Sequence, residues 1–95
     1  MLNIEDEKVM KGQFTQNVTV LNGGHLILRG QLTENLYIKT GGSAVIHGQI
    51  AKDLYIESGA NVIIHGMVCG NLTNYGTFSG NGMIVGKIFN NKTLA

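Results

Sequence analysis

Apolar residues recur on alternate positions in short bursts, and the bursts restart every eighteen residues. Counted from Gly12, Gly30, Gly48 and Gly66, the third position is Phe14, Leu32, Ile50 and Val68, and the seventh is Val18, Leu36, Leu54 and Leu72. The ninth position is Val20, Ile38 and Ile56; positions 15 and 17 continue with Leu26, Ala44 and Val62, then Leu28, Ile46 and Ile64. Alternation at period two means short strands with one face turned inward. Whole segments repeat in step as GQFTQNVTV, GQLTENLYI, GQIAKDLYI and GMVCGNLTN, with Gly, Asn and Asp at the corners. The pattern predicts an all-β fold, a single-stranded parallel β-helix (β-solenoid) of about 4.5 coils with three short strands each.

Stacked coils lie about 4.8 Å apart, so like residues sit over like residues. The sixth position becomes a turn column of Asn17, Asn35, Asp53, Asn71 and Asn91. Glu34 falls under Lys52, and Lys39 under Glu57, two opposite-charge pairs that support the register. Residues 1–11 lie outside the clear repeat and carry Glu5, Asp6, Glu7 and Lys8 between Leu2, Ile4, Val9 and Met10, which reads as an N-terminal cap. Residues 12–95 form the solenoid, with a partial fifth coil in which Lys92 falls at an inward position.

The fourth coil, 66–85, breaks the pattern. Matching Gly66 to the residues before Ile88 gives it twenty residues, which predicts a bulged corner. Asn74 occupies the place of Ile38 and Ile56, so either it sits in the core with its hydrogen bonds satisfied, or the register shifts and Phe78 fills the gap. The shift is favoured, because an unpaired buried amide is costly.

Composition narrows the function classes. Fourteen glycines and no proline suit an all-β chain with tight corners, and a net charge of +1 with no basic run argues against nucleic acid. No apolar stretch approaches the roughly 20 residues that cross a bilayer. Cys69 is the lone cysteine, and no leader pattern is evident, so a cytoplasmic location is expected.

Candidate chemistry is sparse. His47 and His65 share position 18, with Arg29 before them and Val85 after, while His25 is at position 14. Two stacked histidines fall short of the three or four ligands that a metal needs, so neither metal nor cofactor is expected. No Ser/His/acid set, phosphate-binding loop or paired carboxylates are recognisable, and an enzyme is not expected. The outer surface remains: Tyr37 and Tyr55 stack between Thr19 and Thr73, and exposed tyrosines serve either as interface anchors or as sheet-stabilising pairs. The candidate partner-binding residues are therefore Tyr37, Tyr55, His47 and His65, with Tyr75 and Phe78 from the irregular loop at 75–81.

The phrases GQLTENLYIKTGGSAVIHGQIAKDLYI and HGMVCGNL resemble the rungs of bactofilins, over about residues 12–73. That resemblance implies a right-handed β-helix, favoured here over a left-handed one, and a scaffold that polymerises end to end. The chain departs from the family in its fewer coils, irregular fourth coil, charged N-terminal segment and lack of proline-rich tails. Two functional expectations follow. One is a monomeric or dimeric binder that masks a protein partner, in the manner of small bacterial inhibitors and immunity proteins. The other is a bactofilin-like cytoskeletal scaffold.

Overall fold

The computed structural model describes residues 2–90, all strands and corners with no helix among them. The first coil is β1 (Leu2–Ile4), β2 (Glu7–Met10) and β3 (Gln13–Phe14); the second is β4 (Val18–Val20), β5 (His25–Leu28) and β6 (Gln31–Leu32). The third is β7 (Leu36–Ile38), β8 (Ser43–Ile46) and β9 (Gln49–Ile50), and the fourth β10 (Leu54–Ile56), β11 (Asn61–Ile64) and β12 (Met67–Val68). A fifth follows with β13 (Leu72–Asn74), β14 (Thr77–Ser79) and β15 (Met83–Ile84), and β16 (Ile88–Asn90) opens a sixth.

Strands of two to four residues are too short to persist alone. They persist here because each pairs in parallel with its counterparts in the coils on either side. Three sheets result: β1-β4-β7-β10-β13-β16, β2-β5-β8-β11-β14 and β3-β6-β9-β12-β15, below called the first, second and third faces. The inward residues of all three fill one core, in which Val18, Leu32, Leu36, Ile50, Leu54 and Leu72 are fully buried. At the corner between the first two faces, Gly23, Gly41 and Gly59 stack with φ of 84°, 83° and 83°, a backbone region that costs other residues about 1–2 kcal/mol.

The Asn column works as a chain of side-chain-to-backbone bonds. The Oδ1 of Asn17 accepts from Asn35 N–H at 3.0 Å, Asn35 from Asp53 at 2.9 Å, Asp53 from Asn71 at 2.8 Å, and Asn71 from Lys87 at 2.9 Å. Lys87 thus holds the fifth place in the column; Asn91 and Lys92 lie outside the described residues.

Three expectations are corrected by the register. The coil that begins at Gly66 is two residues short, not two residues long: Met67 pairs with Met83 and Asn61 with Thr77, each sixteen residues on. The four-residue corner at 57–60 shrinks to Tyr75 and Gly76, and the tight turn is held by the Asn74 Oδ1 accepting the Gly76 N–H at 3.0 Å. No register shift displaces Asn74, which pairs with Ile56 and is 2 % exposed. Its amide is satisfied, because Nδ2 also donates to Asn90 Oδ1 at 2.9 Å. Residues 2–10 are not outside the repeat. Leu2, Asn3 and Ile4 pair with Val18, Thr19 and Val20, and Glu7 to Met10 with His25 to Leu28, so the charged segment is itself the outermost coil. Its corner, Glu5 and Asp6, is short in the same way as that of the fifth coil, and Lys8 stands exposed over the core column of Leu26.

Candidate functional site

Parallel stacking converts each outward position into a straight column, so candidate sites are columns and not pockets. The outward residues of the first face are Asn3, Thr19, Tyr37, Tyr55, Thr73 and Phe89. Tyr37 and Tyr55 stack with ring centroids 5.0 Å apart and planes 9° from parallel. The Tyr55 hydroxyl donates to Asp53 Oδ2 at 3.3 Å, and desolvation, followed by the Asp53 charge, holds this phenol above its ordinary pKa. Thr19, 4 % exposed, closes one end of the pair, and the half-buried Thr73 the other.

An ion pair flanks the tyrosines on either side. Lys39 Nζ lies 3.0 Å from Glu57 Oε2 at the corner after the strands, and Lys52 Nζ lies 2.9 Å from Glu34 Oε1 at the corner before them. The Lys39 bond, followed by the Thr40 N–H at 3.1 Å, holds the Glu57 carboxyl below its ordinary pKa. Exposed pairs of this kind contribute about 0–1 kcal/mol each. Together they place a charge-balanced rim on either side of an aromatic centre.

His47 and His65 are elsewhere, on the edge between the second and third faces, stacked at 5.3 Å with planes 17° apart. Their column runs Lys11, Arg29, His47, His65 and Asn81; Asn81, not Val85, follows because of the short coil. The His65 Nδ1 lies 3.0 Å from Asn81 Oδ1. Among the described residues no three of His, Cys, Asp and Glu gather as metal ligands would. Cys69 is half-buried, with the Gln49 Nε2 at 3.5 Å from its sulfur.

The two remaining candidates part company. Tyr75 is exposed on the short corner, whereas Phe78 pairs with Val62 and packs inward against the core as the last member of the Leu26, Ala44, Val62 column. The six sequence-predicted residues therefore do not form one surface. A further outward column is apolar: Val9, Ile27, Val45 and Ile63 stack on the second face, with Val9 48 % and Ile63 40 % exposed. The signal was present in HLILR, SAVIH and NVIIH, where the middle residue of an apolar triplet must point out if its neighbours point in.

Open depressions lie at the two ends, about 310 Å³ beside Asn3 to Lys8 and about 190 Å³ beside Asn74, Phe78 and Asn90. No described helix is long and apolar enough to cross a membrane. No protein family, curated protein or solved structure matches the chain.

Proposed function

We propose that this β-solenoid is a non-catalytic binding protein that masks a protein partner with its first face, in the manner of small inhibitors and immunity proteins. The observation that carries the reading is the stacked Tyr37–Tyr55 pair at the centre of the six-stranded first face, bordered by two ion pairs. Aromatic anchors within a charged rim are the composition of an interface centre. The columns are already held by backbone pairing, so little ordering entropy is spent on binding.

The test compares the native protein, Tyr37→Ala/Tyr55→Ala and His47→Ala/His65→Ala as baits, followed by titration of the purified captured protein. Loss of affinity of 100-fold or more in the tyrosine variant, with the histidine variant unchanged, supports the reading; equal binding by all three overturns it.

One observation favours the scaffold reading instead. Strand edges are open at both ends of the described stack, and Met83, Val85, Ile88 and Phe89 are exposed near the second end. Among the described residues the first face has six strands and the others five, the additional one being β16 near that end. Filaments in electron micrographs of the purified protein would place the scaffold reading ahead of the binder.

A further inference from the structure

The outward surface of the second face has three columns side by side. Val9, Ile27, Val45, Ile63 and Ser79 run down the middle. Glu7, His25, Ser43, Asn61 and Thr77 lie on one side, and Lys11, Arg29, His47, His65 and Asn81 on the other. We propose that this face docks a second copy of the same chain, through a two-fold axis running parallel to the stack along the aliphatic column.

The argument is self-complementarity. Such an axis lays each aliphatic residue against its own counterpart and each flanking residue against the opposite flank of the same coil. Glu7 then meets the partner's Lys11, and by symmetry Lys11 meets the partner's Glu7, giving two ion pairs. His25 meets the partner's Arg29, whose N–H groups find an acceptor in Nε2 in the tautomer whose Nδ1–H donates to Ser43 Oγ at 2.6 Å. In the fourth coil the Oδ1 of Asn61 is occupied by the Thr77 hydroxyl, leaving its Nδ2 hydrogens as donors. The Nδ1 of His65 bonds to the acceptor Asn81 Oδ1, so its Nε2 is the acceptor that Asn61 of the other copy requires. Turning the axis perpendicular to the stack loses this match: Glu7 then meets the partner's Thr77, and Lys11 the partner's Asn81.

Face-to-face packing of two sheets at about 10 Å is an ordinary arrangement. The footprint is small. Five coils at about 4.8 Å by four residue steps at about 3.3 Å give roughly 300 Å² per copy, well under the ~800 Å² per partner of a stable complex. The dimer is therefore weak and concentration-dependent. It leaves the tyrosine face of each copy outward, and it is independent of the proposed function.

Sedimentation equilibrium of the native chain from about 10 µM to 1 mM tests the proposal. Reversible monomer–dimer exchange without higher species is expected. Val45→Glu, which sets like charges together on the axis, weakens dimerisation at least tenfold. Glu7→Lys weakens it, and Glu7→Lys/Lys11→Glu restores it. Circular dichroism confirms that each variant folds, and Tyr37→Ala leaves the exchange unchanged. A strictly monomeric native chain at 1 mM overturns the proposal and leaves the aliphatic column to a different protein. A dimer indifferent to Val45→Glu, or a double swap that does not restore association, overturns this face or this axis.

Discussion

Gly48→Ala should be among the most damaging single changes in this molecule, although it adds one methyl group. Gly48 occupies the corner where successive coils press backbone on backbone. A Cβ there would lie 2.8 Å from the Gly30 carbonyl carbon and 3.1 Å from that of Arg29, with the Gly30 oxygen closer still. Carbon atoms rest at about 3.5–4.0 Å, so the corners must part by roughly an ångström in a stack whose spacing is about 4.8 Å. The bonds crossing this corner run from His47 N–H to Leu28 O at 2.8 Å, Gly48 N–H to Leu28 O at 2.9 Å and Gln49 N–H to Gly30 O at 3.1 Å. Losing two of them at about 1 kcal/mol each, with overpacking of about 1–3 kcal/mol, gives a cost of about 3–5 kcal/mol. Gly12 is the control: its φ is 88°, but nothing lies within 4 Å of an added Cβ, so Gly12→Ala costs only the backbone strain of about 1–2 kcal/mol. Urea unfolding followed by far-ultraviolet circular dichroism measures both. Should Gly48→Ala cost no more than Gly12→Ala, backbone crowding does not set the coil spacing, and the reasoning fails. If Gly48→Ala does not accumulate as folded protein while Gly12→Ala does, the ordering stands.

Two further outcomes concern the polar columns. Asn35→Ala removes the acceptor for the Asp53 N–H and should destabilise by about 1–3 kcal/mol in the same assay, whereas Asn35→Asp, the residue type found one coil on, should cost far less. Glu57 has a folded-state pKa below its ordinary value, so its contribution is fully present above the ordinary carboxylate pKa and is lost as pH falls through the folded value. Glu57→Gln should therefore lower the melting temperature slightly at pH 7, by a margin that shrinks as the pH falls through the folded value, the exposed Lys39 pair limiting the effect to about 1 kcal/mol or less.

The middle coils were legible because every inward position repeats a residue class and every corner repeats a glycine or an Asx residue. The ends were not, because both are two residues short at one corner and fall out of the eighteen-residue ruler. In the fifth coil several glycines compete for alignment, and Gly82, not Gly86, proves equivalent to Gly66. The same error hid the partner of Asn74. Asn90 is sixteen residues away, and only the short coil brings it into bonding distance. Leu2, Ile4 and Met10 already carried core periodicity but sat beyond the first recognisable glycine. The tyrosine pair and the histidine pair were each found as ladders, yet their placement on different parts of the surface depends on how the coil bends, which alternation alone does not encode. The outward aliphatic column is masked in the sequence because Ile27, Val45 and Ile63 sit inside unbroken apolar triplets, and apolar character alone does not separate interior from surface, much of any protein's surface being apolar.

The chain of Asx bonds has a consequence for how such a molecule can change size. Each of Asn17, Asn35, Asp53 and Asn71 reaches forward to the next coil and makes the same bond there. An internal coil is therefore interchangeable with its neighbour, accepting on one side what it offers on the other. Duplicating or deleting a whole coil preserves every joint, whereas adding or removing a few residues breaks one, unless the change falls in the corner loops that the end coils have already shortened. The protein's length is thus a gauge graduated in coils of about 4.8 Å, and its distance between ends can change only by whole steps.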